Sequence, residues 1–258
     1  MEAEPIFRGV GVALLTLFDA DGGLLVDSTA EHAAGLATLG VRGIVVAGTT
    51  GEAAALAPEE RGELVAAVRE TVPRDVPVLA GTGAPSGDEA VALTRAAAVA
   101  GADAALVLSP SGVTDPSGYY QQVAQGAGDL PLLAYHFPLA SPPGIPLEML
   151  PGLPVAGVKD SSGDAERLAF VLERYDGDAY VGSPTLLALA GPLGATGAIL
   201  ALANLEPERC LAAWAGDIDA QRALLATHLT TSEAFPRVLK ERVADRFGTP
   251  TGVRRVLS

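Results

Sequence analysis

GIVVAGTTGEAAALAPEERGELVAAVRET, residues 43–71, sets an apolar run, a glycine-bracketed polar turn and a helix-forming stretch in direct succession. Gly43 to Ala47 has no polar residue on either alternating face, the mark of a strand covered on both sides in a parallel sheet. Pro58, followed by Glu59 and Glu60, opens a helix over Pro58 to Thr71, because proline fits the first turn and acidic side chains favour a helix N-terminus. The same unit recurs along the chain. Strands are predicted at Val10 to Thr16, Val76 to Ala80, Ala104 to Leu108, Leu132 to His136, Val155 to Lys159, Ala179 to Gly182 and Ala198 to Ala201. Helices are predicted at Ser28 to Leu39, Ser86 to Ala100, Pro116 to Gly126, Ala165 to Tyr175 and Pro184 to Ala190, with Gly40, Gly101 and Gly191 as helix ends.

Eight strands alternating with helices fit an α/β chain built as a (β/α)8 TIM barrel better than an open sheet. From Pro207 to about Phe247 the pattern is purely helical, broken near Gly216 and Ser232. The expected organisation is a barrel over residues 1–205 and a short C-terminal helical extension over 206–258. The proline- and glycine-rich connection from Leu139 to Leu150 is the least regular part.

Composition narrows the function. At 258 residues, 49% of them hydrophobic and 19% charged, the chain can bury a full core and does not have a disordered composition. Its formal net charge of −14 repels phosphate backbones, so nucleic acid is not an expected partner. Apolar runs such as GIVVAG and GAILALAN stop well short of the ~18 residues a membrane span needs. Cys210, the one cysteine, cannot form an internal disulfide, and no spacing of Cys and His suggests a metal site. MEAEPIFRGV lacks the basic and apolar regions of a secretory signal, so the expectation is a cytoplasmic protein without metal or cofactor.

Barrels carry their chemistry at the C-terminal ends of the strands. There the sequence places Thr16, Gly48-Thr49-Thr50-Gly51-Glu52, Ser109, Tyr135-His136, Lys159-Asp160, Gly182-Ser183 and Ile199 to Asn204. Lys159 is one of only two lysines, the other being Lys240, and it ends the apolar strand Val155-Ala156-Gly157-Val158. If Lys159 points into the barrel, Val158 and Asp160 point toward the helices, and Asp160 cannot pin the amine as an ammonium. A desolvated lysine amine is a nucleophile toward carbonyls. Tyr135 ends the neighbouring strand, where a phenol can give and take the protons of imine formation. The amides and hydroxyls of Gly48 to Gly51 suit a carboxylate. By the same alternation His136 faces the helices and is structural. His32 and His228 lie in helical stretches as surface or packing residues, and Cys210 is an inert small hydrophobe.

Together GTTGE with PEER, AGTGA, Tyr135-His136-Phe137-Pro138, GVKDSSGD around Lys159 and GATGAILALAN stand in the order of a known family. From about Gly9 to Asn204 the chain resembles the dihydrodipicolinate synthase/N-acetylneuraminate lyase family of class I, Schiff-base pyruvate aldolases. The resemblance implies that Lys159 is the imine-forming lysine, that Tyr135 shuttles protons, and that Thr49 and Thr50 hold the 2-oxo acid carboxylate, with Thr49 also in the proton relay. It places Gly182, Ser183 and Ile199 along the pocket, beside the substrate-binding role read above for Gly48, and implies a homodimer or homotetramer.

The chain departs from the family at Ser111 and Gly112, where many members carry paired tyrosines, and at Ala140, where the synthase carries a carboxylate-binding arginine. An alanine cannot replace that bidentate clamp. The expected function is therefore a lyase that condenses or cleaves pyruvate, or a related 2-oxo acid, with an aldehyde, of the 2-keto-3-deoxy sugar acid or hydroxy-oxo acid type. The alternatives are a divergent 4-hydroxy-tetrahydrodipicolinate synthase and a non-catalytic relative that binds a 2-oxo acid.

Overall fold

A computed structural model describes residues 4–254; the first three residues of the N-terminal stretch and the last four of the helical tail lie outside the described residues. Eight parallel strands close into a barrel in chain order: β1 (Gly9–Ala13), β2 (Ile44–Val46), β3 (Val78–Gly81), β4 (Ala104–Leu108), β5 (Leu132–His136), β6 (Gly157–Asp160), β7 (Asp178–Val181) and β8 (Gly197–Leu200). Between them run α1 (Val26–Thr38), α2 (Pro58–Thr71), α3 (Gly87–Val99), α4 (Ser117–Ala127), α5 (Ala165–Arg174) and α6 (Leu187–Ala190). Helices α7 (Pro207–Trp214), α8 (Ile218–Thr231) and α9 (Arg237–Phe247) follow.

The local chemistry accounts for the helix starts. Ser86 accepts a hydrogen bond from the Glu89 amide ahead of α3, and Asp164 and Asp217 cap α5 and α8 in the same way. Glu60 reaches back to the Ala57 amide at 2.9 Å in front of α2. Between β5 and β6 the crossover holds only a 3-10 turn, Leu147–Gly152, in place of a full helix. Four prolines between 138 and 146 remove donors that a helix there would need. The predicted helix at Pro184 to Ala190 is a 3-10 turn, Pro184–Leu186, leading into α6. Gly191 ends α6 in an ordinary right-handed conformation, φ −58°. A Cβ there would overlap the Trp214 carbonyl, so this glycine serves the close approach of α7.

Side chains alternate between a barrel interior and a layer under the helices. Ala13, Val45, Leu79, Leu106, Leu133, Tyr135, Tyr180 and Ile199 pack inside, whereas Val158 and Val107 pack under the helices. Burying a leucine such as Leu79 or Leu133 contributes ~2 kcal/mol. Phe7 closes the N-terminal end, its ring 4.8 Å from that of Tyr180, whose hydroxyl donates to the Phe7 carbonyl at 2.8 Å. The interior is thus solid below and opens at the C-terminal ends of the strands. Cys210, Leu224, Leu239 and Val243 of the extension share a core cluster with Val10, Val12 and Leu200 of the barrel. No helix among the described residues is long and apolar enough to cross a membrane.

Candidate active site

Register places Tyr135 of β5 beside Lys159 of β6, and Lys159 beside Tyr180 of β7. Lys159 is 4% exposed, and its Nζ stands 4.2 Å from the centroid of the Tyr135 ring. Phe137 stacks on the Tyr135 ring at 5.8 Å, which favours one plane for the phenol. Asp160 points to the opposite face, where Arg167 Nε binds it at 2.6 Å and Ser162 Oγ donates to it at 2.6 Å. Among the described residues no carboxylate pairs with Lys159.

A cavity of about 470 Å³ opens over this pair, within the ~300–1,000 Å³ range of small-molecule sites. Lys159, Tyr135, Thr49, Thr50, Gly182, Ser183 and Ile199 all line it. Gly48 does not: its carbonyl accepts from the Ala53 amide at 3.2 Å, beneath the loop. Lysine 159 is the only lysine or arginine among the lining residues, and no carboxylate lines the cavity. Gly182 leaves room for the Ser161 side chain beside Lys159. An added Cβ would overlap Ser161 Oγ and lie 3.0 Å from Lys159 Cε.

The threonine loop is bracketed by two residues in the left-handed region, Ala47 at φ 52° and Glu52 at φ 57°. Each such conformation costs roughly 1 kcal/mol outside glycine, so the loop must be held from elsewhere. Thr16 Oγ1 donates to the Gly51 carbonyl at 2.7 Å. The Glu52 carboxylate accepts from Lys240 Nζ at 2.5 Å and from the Arg254 amide at 2.8 Å. Lys240 is fully buried, donates to the Gly252 carbonyl at 2.7 Å and lies 4.6 Å over the Phe18 ring. Arg254 in turn binds both carboxylate oxygens of Glu60, at 2.8 and 2.9 Å. The extension therefore grips the loop that presents Thr49 and Thr50. Lysine scarcity marked Lys240 in the sequence, but not its partner.

At the positions of departure the chain bonds to itself. The Gly112 amide donates to the Pro142 carbonyl at 2.7 Å, and Ser141 Oγ donates to the Ser109 carbonyl at 2.5 Å. Ala140 is exposed and does not line the cavity, whereas its neighbour Leu139 does.

His136 faces the helices as expected: its Nδ1 accepts from the Ile145 amide at 2.8 Å, and burial pushes its pKa down to about 4. His32 packs edge-on against Phe247, and burial pushes it too to about 4. Burial pushes the Cys210 thiol up, in keeping with an inert side chain. His228 departs from the expectation, for it lines the cavity together with Thr231, Ser232, Phe235 and Leu239. No periodicity within α8 signals this, because only long-range docking sets the helix over the barrel mouth. Among the described residues no group of three or more His, Cys, Asp or Glu could hold a metal ion.

Residues 6–236 match the model of the dihydrodipicolinate synthetase family. An uncharacterized DapA-like lyase of Halobacterium salinarum is 36% identical over 243 residues, covering 89% of this chain and 80% of that protein. A 4-hydroxy-tetrahydrodipicolinate synthase of Pseudomonas aeruginosa is 38% identical over 233 residues, covering 85% and 80%. The crystal structure of a dihydrodipicolinate synthase from Acinetobacter baumannii in complex with pyruvate superposes with a TM-score of 0.86 at 30% identity, over 96% of this chain and 91% of that one. With a closed eight-stranded parallel barrel, a strand-end lysine in its mouth and a family match over nearly the whole chain, this protein is a lyase that belongs to the dihydrodipicolinate synthetase family.

Proposed function

We propose that the protein is a Schiff-base aldolase that joins pyruvate, or a related 2-oxo acid, to an aldehyde without a second carboxylate, or cleaves the product. The observation that carries this reading is Lys159, buried against the Tyr135 ring at the floor of an open cavity and paired with no carboxylate among the described residues. The Lys159 amine attacks the C2 carbonyl of pyruvate, and Tyr135 moves a proton from nitrogen to oxygen to give a carbinolamine. The Tyr135 hydroxyl then gives that oxygen its own proton, the oxygen leaves as water, and a protonated imine remains beside the phenolate. The imine accepts the electron pair released when C3 loses a proton to the phenolate, forming an enamine. C3 then attacks the aldehyde carbon, whose oxygen takes the proton back from Tyr135, and water releases the product and regenerates Lys159. Thr49 and Thr50 hold the pyruvate carboxylate through hydroxyl and backbone donors.

The absence of arginine and lysine beyond Lys159 among the lining residues supports an uncharged aldehyde. A second carboxylate brought into the cavity of a chain with net charge −14 would find no guanidinium to offset its desolvation. The naming of relatives as 4-hydroxy-tetrahydrodipicolinate synthases favours a second reading, in which the aldehyde is aspartate semialdehyde.

Borohydride reduction in the presence of pyruvate, followed by intact-mass measurement, tests the first step. One pyruvate-derived adduct is expected on the wild type and none on Lys159→Ala. No wild-type adduct, or one that survives the substitution, overturns the reading. Among aldehydes then offered with pyruvate, a best rate with aspartate semialdehyde establishes the synthase instead.

A further inference from the structure

The α8 residues at the cavity mouth carry an arrangement whose proton positions can be assigned. Ser232 Oγ lies 2.7 Å from the His228 carbonyl and 3.3 Å from His228 Nδ1. A serine hydroxyl has one proton, and the carbonyl can only accept, so that proton is spent on the carbonyl. Toward the ring Ser232 Oγ can then only accept, which places the imidazole proton on Nδ1. Nε2 is left as a bare acceptor. Nε2 has no partner among the described residues, and His228 is half-buried and lines the cavity, so a ligand there can reach the lone pair. Burial holds the His228 pKa below its ordinary value, which keeps the ring neutral and this tautomer in place near pH 7.

Hydroxyls on the other walls near the mouth keep acceptor lone pairs, but their protons are already spent. Thr231 Oγ1 is committed to the Thr227 carbonyl at 2.9 Å, and Ser162 Oγ to Asp160. Ser183 Oγ is engaged with Thr185 Oγ1 at 2.8 Å, while Phe235, Leu239 and Leu139 supply apolar surface. A three-carbon acid bonded to Lys159 fills only a small part of about 470 Å³, so the partner molecule extends toward α8.

Building on the aldolase reading, we infer that His228, oriented by Ser232, is the specificity-determining residue of the aldehyde subsite, accepting at Nε2 a hydrogen bond from a hydroxyl of a polyhydroxylated, uncharged aldehyde. A site that presents an acceptor discriminates against an analogue without the matching donor, because the acceptor is then desolvated and unpaired.

The test compares glyceraldehyde with propanal, the same three-carbon chain without hydroxyls, as partners for pyruvate in wild type, His228→Leu and His228→Gln. The expected result is a five- to tenfold or larger fall in the glyceraldehyde-to-propanal ratio of kcat/KM for His228→Leu, roughly the worth of one hydrogen bond. Gln, whose amide oxygen can accept, restores part of it. The pyruvate adduct trapped by borohydride stays at the wild-type level in both variants, which separates a specificity role from damage to the fold or to Lys159. An unchanged ratio in His228→Leu, or a wild type that does not prefer glyceraldehyde to propanal, overturns this inference alone. A wild type that forms no pyruvate adduct overturns the aldolase reading and this inference with it.

Discussion

Gly182 shows how little room surrounds the Lys159 side chain. Its missing side chain leaves space for the Ser161 hydroxyl beside the Lys159 stem, and an added methyl group would overlap Ser161 Oγ and stand 3.0 Å from Lys159 Cε. Gly182→Ala is expected to displace the amine, since overpacking a filled site costs ~1–3 kcal/mol in strain or movement. Activity should fall by tenfold or more, because small displacements of a reacting group are costly. The rate of borohydride-trapped adduct formation should fall with it. Far-UV circular dichroism should stay that of the wild type, since the strand ladder is not touched. A fully active Gly182→Ala would mean that Lys159 does not work from this position.

Among elements, the connection between α9 and the threonine loop is the least ordinary. Glu52 and Lys240, 1% and 0% exposed in their side chains, form a buried ion pair between residues 188 apart in sequence. Burial pulls the Lys240 pKa below its ordinary value, while Glu52 opposes that fall and keeps the charge. Removing one partner leaves an uncompensated charge in the core, a loss of ~3–5 kcal/mol. Lys240→Met and Glu52→Gln should each lower the urea midpoint by the equivalent of that loss. The double variant Glu52→Gln/Lys240→Met should be less destabilised than the two losses added together, because the second change removes the orphaned charge. Additive losses would show that the pair is not coupled as the 2.5 Å contact requires. Where the fold survives, KM for pyruvate should rise with loosening of Thr49 and Thr50, while the lysine adduct still forms.

For the whole molecule, two buried histidines set a stability profile with pH. His32 and His136 both have pKa values pushed from 6.5 to about 4 by burial. Above pH 6.5 both are neutral in the folded and unfolded chain and contribute no slope. As pH falls through 6.5 toward 4, the unfolded chain takes up protons that the folded chain refuses, so stability falls. The slope approaches ~1.4 kcal/mol per pH unit for each histidine. Urea midpoints should therefore drop between pH 7 and pH 5, and His32→Gln should reduce that drop, the remainder coming from His136 and from His228, whose pKa burial also lowers. An undiminished slope in the variant would assign acid sensitivity to other groups.

Strand and helix order was legible because all but one of the βα units carry their own signal: an unbroken apolar run, then a proline or capping residue, then a 3.6-residue pattern. Pro58–Thr71 was read to the residue because both of its ends have local causes. Ends set by pairing were read less closely: β6 runs over Gly157–Asp160 rather than from Val155, since its start depends on where β5 and β7 stand. Lys159, Tyr135 and the threonines could be placed at one mouth because strand alternation and barrel closure leave them nowhere else. The partner of Glu52 and the place of His228 were not legible. Both lie in helices whose own periodicity tells which face is buried but not what covers it. The amino-acid order alone determined a barrel and the residues at its rim, because those are local patterns repeated along the chain. Docking of the helical extension over that rim, and with it the brace on the threonine loop and the far wall of the cavity, was decided by packing between residues from 33 to 202 positions apart, which no local pattern records.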